Sequence, residues 1–202
     1  MKITGIRSKA FEHDMPRYIG DANNPRGRNR HAGLVIYLDT DVGLTGVSVG
    51  NPSLQKDIHS MTENLLVGRD PRGVVGLWQR MVDFAFKGGN RGYITDVIGA
   101  LDIALWDLKA KANDEPLWKT LGASTRKVKA YASGIDSPLN DDELREFYES
   151  MAAKGIAIGK LKVGLDREYD LNRIGIMQEA LAKSGKTPIN IIDSNEYWSP
   201  KQ

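Results

Sequence analysis

The alternation of strand and helix patterns after residue 125 constrains the fold more than any other feature of this sequence. Residues 128–133, 158–163 and 189–193 have the apolar and β-branched composition of strands. Residues 140–153 and 167–183 lie between them and are predicted to be helices. This order predicts a parallel sheet with helical crossovers, because parallel neighbours need a long connection.

The first 124 residues have a different pattern. Residues 2–11 and 33–49 are predicted to form strands of an antiparallel meander. Apolar residues then recur at helical spacing in residues 54–67, 71–86 and 93–112. We therefore expect an α+β domain over residues 1–124, followed by a β/α series over residues 125–202.

Composition excludes several classes of protein. The chain is 41% hydrophobic and 27% charged, which is typical of a globular domain, and its net charge of +2 does not favour nucleic acid as a partner. Cysteine is absent, so disulfides and thiolate metal sites are excluded. No apolar run approaches the roughly 20 residues of a membrane span. We therefore expect a cytoplasmic protein without membrane or nucleic-acid partners.

Two lysines, Lys160 and Lys162, stand at the end of the second strand of the β/α series. Residues i and i+2 of a strand point to the same side, so both ammonium groups are expected to project together. Like charges held close lower each other's pKa, which makes a lysine usable as a base near neutral pH. The alternative is a pair of solvated lysines, but active sites of β/α folds gather at the carboxyl ends of strands.

A second polar pair, Asp193 and Asn195, follows the third strand directly. The carboxylate offers the hard oxygen that Mg²⁺ prefers, and the neighbouring amide can bind a ligand or a water molecule. The alternative is an Asx turn, which is common after a strand. A cationic pair and an acidic pair on consecutive strands together favour a site at this edge of the sheet.

A polar loop is predicted between the first two strands, at residues 18–31. It carries Arg26, Arg28 and Arg30 at alternate positions, which an extended segment would direct to one side. Arginine binds carboxylates through paired hydrogen bonds, so the loop favours an anionic substrate, above all a sugar acid. The alternative is a solvated basic loop.

Three segments carry a resemblance to a known family. They are the helix and linker at residues 93–123, the K-x-K motif within GKLKVG at 159–164, and the D-x-N-x-x-W motif within IDSNEYW at 192–198. The sequence resembles the mandelate racemase and muconate lactonizing enzyme family of the enolase superfamily. The resemblance implies a capping α+β domain followed by the start of a (β/α)₈ barrel that is incomplete in this chain.

The resemblance also implies a chemistry. Members of this family bind Mg²⁺, abstract the proton α to a carboxylate and stabilise the resulting enediolate. Lys162 would be the general base, Lys160 would lower its pKa and neutralise the substrate carboxylate, and Asp193 would be the first metal ligand. We expect an acid-sugar (aldonate or aldarate) dehydratase, with a racemase, epimerase or cycloisomerase as the alternative and a non-catalytic module as a further one.

Parts of the family pattern do not occur in residues 1–202. Further carboxylate ligands and the acid/base partners of later strands are expected beyond residue 202, and three strands cannot close a barrel of eight. We therefore expect residues 1–202 alone to be inactive. The protein is expected to form a homo-oligomer and to bind a small anionic carboxylate.

Overall fold

The computed structural model describes residues 1–89 and 91–199 of the chain. These residues form two compact units, and the first unit ends at Arg126. The segment Asp14–His31 belongs to the second unit with the residues from Lys127 onward, whereas Met1–His13 and Ala32–Arg126 form the first. The division into domains 1–124 and 125–202 stays a prediction, and its last three residues lie outside the described part.

A three-stranded sheet with the order β1-β2-β3 begins the chain. Its strands are β1 (Ile3–Ile19), β2 (Arg28–Thr40) and β3 (Thr45–Gly50). β2 and β3 are antiparallel, and their register places Leu34 opposite Gly50. Leu34, Ile36 and Leu38 alternate along β2 and are fully buried, as expected for a strand with one face on a hydrophobic core.

The prediction of a long loop at residues 18–31 is wrong. β1 continues to Ile19 and β2 begins at Arg28, so only residues 20–27 lie between the strands. Residues 10–19 and 28–32 are all exposed or half-buried. Strand pairing satisfies backbone groups whatever the side chains are, so a polar segment can extend as a solvated ribbon. The polar composition indicated exposure correctly and irregular backbone incorrectly.

Helices pack against the buried face of this sheet and share its hydrophobic core. They are α1 (Gln55–Met61), α2 (Val74–Ala85), α3 (Tyr93–Ala112) and α4 (Leu117–Thr120), with a 3₁₀ turn at Pro52–Leu54, a π-helical turn at Thr62–Leu66 and a 3₁₀ turn at Phe86–Gly88. α3 packs against β3, and its Leu101 and Leu105 are fully buried. A Cβ on Gly46 would lie 2.3 Å from the Ala104 carbonyl oxygen, so glycine permits this close approach.

The second unit contains three parallel strands in the order β4-β5-β6. The elements are β4 (Ala132–Ser133), α5 (Asp141–Ala152), β5 (Ile158–Lys162), α6 (Arg167–Ala182) and β6 (Ile189–Asp193). This order confirms the predicted α+β domain followed by the start of a β/α barrel. β4 is shorter than the predicted 128–133, because only Ala132 and Ser133 pair with β5.

Close packing fixes β5 against its two helices. Tyr148 of α5, Met177 and Leu181 of α6 and Leu161 of β5 are all fully buried in one core. A Cβ on Gly159 would lie 2.6 Å from Met177 Sδ and 2.7 Å from Leu181 Cδ1, so a side chain there would displace the core residues of α6. β5 therefore packs closely against α5 and α6, and the lysines lie at the end of this packed strand. Of the helices in residues 1–89 and 91–199, none has the length and apolar character needed to cross a membrane.

Candidate active site

The two polar pairs predicted from the sequence meet at the carboxyl ends of β5 and β6. The parallel register places Lys160 beside Ile191 and Lys162 beside Asp193. This arrangement arises because both strands run in the same direction and end at the same level. The structure thus brings Asp193 beside the two lysines, although it lies 31 residues after Lys162 and 33 after Lys160 in the sequence.

Asp193 holds both lysine side chains. Its Oδ2 atom accepts a hydrogen bond from Lys162 Nζ at 2.8 Å and lies 2.9 Å from Lys160 Nζ. The exposed fraction is 7% for Lys162, 22% for Lys160 and 27% for Asp193. One carboxylate between two ammonium groups gives a compact, partly buried charge cluster with a net positive charge.

Contacts within this cluster shift the pKa values of Asp193 and Lys160. The hydrogen bonds from Lys162 and then from Lys160, followed by the amide of Asn195, hold the pKa of Asp193 far below its usual range. The hydrogen bond to Asp193 raises the pKa of Lys160. The expectation that like charge lowers the lysine pKa is therefore wrong for Lys160, because its hydrogen bond with the Asp193 carboxylate raises that pKa.

Asn195 forms hydrogen bonds with both Lys162 and Asp193. Its side-chain Oδ1 atom accepts a hydrogen bond from Lys162 Nζ. Its backbone amide donates to Asp193 Oδ1 at 3.0 Å. The second bond is the Asx turn weighed in the sequence analysis, so the turn and the lysine contact coexist. Asn195 has a φ of 49°, a left-handed conformation that asparagine tolerates better than most residues.

A residue of the segment between β1 and β2 also reaches this cluster. Asn23 donates from Nδ2 to the carbonyl oxygen of Asn195 at 2.6 Å. Gly20 anchors the same segment, because its amide donates to the Ile135 carbonyl at 2.9 Å. Sequence reasoning missed Asn23, since its partner lies 172 residues away and no local spacing indicates such a pair.

The three arginines of this segment lie at exposed positions. Arg26 precedes β2, and Arg28 and Arg30 alternate with half-buried Asn29 along its first residues. The extended segment expected to direct all three arginines to one side includes only Arg28 and Arg30, because Arg26 lies in a turn before β2. Their role in binding a substrate carboxylate stays a prediction.

Three fully buried polar residues were also missed. Asp136, Tyr148 and Arg173 form hydrogen bonds with one another and with the backbone of the lysine pair. Burial raises the pKa of Asp136, although the amide of Lys162, the hydroxyl of Tyr148 and the charge of Arg173 oppose that rise. The sequence offered no signal for this cluster, because its members come from three different elements.

The residues present fit Mg²⁺ only in part. Asp193 supplies a hard carboxylate oxygen at a partly exposed strand end, which is the kind of ligand that Mg²⁺ accepts. Within residues 1–89 and 91–199, however, no group of three or more His, Cys, Asp or Glu side chains could hold a metal ion. Asp193 is therefore one candidate ligand rather than a complete site.

Comparison with known proteins identifies the family. Residues 26–122 match the model of the mandelate racemase / muconate lactonizing enzyme N-terminal domain. This chain carries the N-terminal domain of that family. The resemblance noted in the sequence is confirmed, and the α+β part of the chain is the family's capping domain.

Individual relatives of this family cover more of the chain. It is 29% identical to a 3,6-anhydro-α-L-galactonate cycloisomerase of Streptomyces coelicolor over 98% of this chain and 55% of that protein. It is 31% identical to an L-talarate/galactarate dehydratase of Salmonella typhimurium over 89% of this chain and 47% of that protein. The chain thus spans about half the length of these relatives.

Solved structures agree with the fold of the whole chain. A Streptomyces coelicolor racemase with bound magnesium superposes with a TM-score of 0.82 at 27% identity, covering 98% of this chain and 56% of that one. A mandelate racemase/muconate lactonizing enzyme-like protein of Rubrobacter xylanophilus gives a TM-score of 0.84 at 24% identity, covering 100% and 55%. The second likeness shows the fold alone.

Proposed function

We propose that the protein is a Mg²⁺-dependent acid-sugar dehydratase that begins its reaction by removing the proton α to a carboxylate. The observation that carries this proposal is the position of Lys160 and Lys162, whose Nζ atoms both lie within 2.9 Å of Asp193 Oδ2 at the carboxyl end of the sheet. Strand ends of this kind hold the reacting groups of β/α barrels. Dehydratases and cycloisomerases of sugar acids are among the relatives.

The two lysines have different surroundings, which supports different roles. Lys162 is 7% exposed and its Nζ is directed by two acceptors, Asp193 and Asn195. A buried, directed amine suits a general base, which must meet the α-proton in one geometry. Lys160 is 22% exposed and lies 5.5 Å from the Tyr131 ring, so its charge can neutralise a substrate carboxylate.

Asp193 would be a ligand for Mg²⁺. When bound, the metal supplies positive charge that stabilises negative charge developing on the substrate carboxylate. The bound magnesium of the Streptomyces coelicolor racemase, at 27% identity, supports this cofactor. The hydrogen bonds that Asp193 accepts hold its pKa low, which favours the carboxylate form that a metal ligand requires.

The substrate proposed is a small polar carboxylate of the aldonate or aldarate class. Arg26, Arg28 and Arg30 give the segment before and within β2 a positive charge, and this segment reaches the site through Asn23. The names of the relatives point to the same class of compound. Assembly into homo-oligomers stays a prediction from the sequence.

A cycloisomerase is the second candidate, since the Streptomyces coelicolor relative of that activity matches 98% of this chain. Both reactions begin with loss of the same α-proton and differ in the group that departs next. Because residues 1–202 alone are expected to be inactive, the experiment uses the complete protein with the further ligands expected beyond residue 202. It is incubated with Mg²⁺ and a panel of sugar acids and their lactones, and NMR follows the products. A 2-keto-3-deoxy acid indicates dehydration, whereas ring opening or closure without loss of water indicates cycloisomerisation. No conversion of any panel member contradicts both.

A further inference from the structure

A buried polar cluster, formed by Asp136, Tyr148 and Arg173, contacts the backbone of the two lysines. The exposed fraction is 0% for Asp136 and Tyr148 and 1% for Arg173. A buried ion pair loses so much hydration that apolar residues of similar size often stabilise a fold as well or better. Packing alone therefore does not account for these three side chains.

The cluster holds the peptide groups on either side of Leu161. Asp136 Oδ1 accepts a hydrogen bond from the amide of Lys162 at 3.0 Å. The Tyr148 hydroxyl lies 2.8 Å from Asp136 Oδ2 and 3.0 Å from the carbonyl oxygen of Lys160, so its single proton is shared between them. Burial raises the pKa of Tyr148, which keeps the hydroxyl protonated and able to donate.

The Asp136 side chain supplies a hydrogen-bond acceptor that β4 is too short to provide from its backbone. β4 ends at Ser133, which pairs with Lys160, so its backbone stops short of Lys162. The carboxylate of Asp136, three residues further on, supplies the acceptor that the amide of Lys162 uses. The lysine-bearing end of β5 is therefore held by a side chain whose direction depends on its own partners.

Arg173 fixes that direction. Its Nη2 atom donates to the carbonyl oxygen of Asp136 at 2.8 Å and lies 3.4 Å from Asp136 Oδ1. Its Nη1 atom donates to the carbonyl oxygen of Leu139 at 2.7 Å. Within the described residues, no buried side-chain nitrogen or oxygen lacks a hydrogen-bond partner. A fully satisfied buried network of this kind is rigid.

We propose that Asp136 and Tyr148, oriented by Arg173, are positioning residues for Lys160 and Lys162. They set where the two Nζ atoms lie by fixing the backbone from the carbonyl of Lys160 to the amide of Lys162. This inference rests on the proposed function, because it gives the lysines a reaction that depends on their placement. A displacement of about 1 Å of a reacting group can cost roughly 100-fold in rate.

Tyr148→Phe is the variant that tests the inference. Asp136→Ala would leave the charge of Arg173 buried and unpaired, and can unfold the protein. Tyr148→Phe instead removes one hydroxyl and keeps the ring in the core. The matched control is Tyr169→Phe, because the Tyr169 hydroxyl also contacts Arg173, at 3.2 Å, but lies on the half-exposed side of α6.

Two readouts are compared in the intact protein. Tyr148→Phe is expected to lower kcat on the best sugar acid about tenfold with KM unchanged, whereas Tyr169→Phe changes neither by more than about twofold. Without substrate, the amide of Lys162 is expected to exchange with deuterium about tenfold faster in Tyr148→Phe, because Asp136 loses a hydrogen bond that orients it. The amide of Ala180, in the core of α6, should exchange equally in both variants.

The two readouts separate failure of the inference from failure of the proposed function. A wild-type protein that converts no sugar acid contradicts the function, and hydrogen exchange at Lys162 then decides whether the cluster holds the lysine. A Tyr148→Phe protein with the wild-type kcat and the wild-type exchange rate at Lys162 overturns the inference. Equal acceleration at Lys162 and Ala180 also overturns it, because that result indicates general loosening of the unit.

Discussion

Lys162 and Asp193 lie side by side at the ends of neighbouring parallel strands, and Lys162 Nζ donates a 2.8 Å hydrogen bond to Asp193 Oδ2. The relationship links the proposed base to the proposed metal ligand. The carboxylate that orients the ammonium in this structure is the group that the metal would bind.

In the complete protein, Asp193→Asn is expected to weaken binding of Mg²⁺ at least about tenfold and to abolish turnover, because it removes the anionic oxygen and leaves two ammonium groups close together. Calorimetric titration with Mg²⁺ measures the first effect. Asp142→Asn is the matched control, since Asp142 is exposed in the first turn of α5. Equal Mg²⁺ affinity in wild type and Asp193→Asn would remove Asp193 from the metal site.

Arg26→Ala, Arg28→Ala and Arg30→Ala are expected to raise KM for the sugar acid about tenfold and to change kcat less, because each removes a charged donor for the substrate carboxylate. Steady-state kinetics at saturating Mg²⁺ give both parameters. The control is Arg145→Ala, an exposed arginine on α5 whose partner is Glu179. If all three variants keep the wild-type KM, the segment is a solvated basic surface.

The capping box of α5 gives a prediction about stability. Asn140 Oδ1 accepts from the amide of Glu143 at 2.9 Å, and Glu143 Oε2 accepts from the amide of Asn140 at 3.0 Å. Asn140→Ala removes the first bond and is expected to lower the free energy of unfolding by about 1 kcal/mol.

Urea denaturation monitored by circular dichroism measures this difference. The control is Asn172→Ala, which removes one exposed hydrogen bond from α6 to Asp141 of α5 and leaves both bonds of the capping box in place. The control is expected to change the free energy of unfolding by less than about 0.5 kcal/mol. Equal values for the two variants would mean that the capping box does not stabilise the helix.

The strand-end pairs could be predicted because the information about them is local. Lys160 and Lys162 are two positions apart on one strand, and the period of a strand places them on one side. Asp193 follows a short apolar run whose end is visible in the sequence. That these two ends meet follows from the parallel order of β/α units, which the alternation of patterns already indicates.

The contacts of Asn23 and Asp136 could not be predicted, since each depends on tertiary packing. Asn23 lies in a polar segment where several residues have the same chemistry, and only the structure shows which one reaches Asn195. Asp136 follows a two-residue strand, and its role depends on where that strand stops. The extension of β1 and β2 was missed for a related reason, because polar composition indicates exposure but does not determine the backbone conformation.

Transfer of the α-proton is the most direct test of the central claim that Lys162 is the base. The complete protein is incubated in deuterated buffer with Mg²⁺ and the best sugar acid, and NMR follows loss of the α-proton signal. Lys162→Ala is expected to slow this loss by about 10²- to 10⁴-fold. Lys183→Ala, which removes a surface lysine paired with Glu149, is expected to keep the wild-type rate. Loss of the α-proton at the wild-type rate in Lys162→Ala would contradict the account.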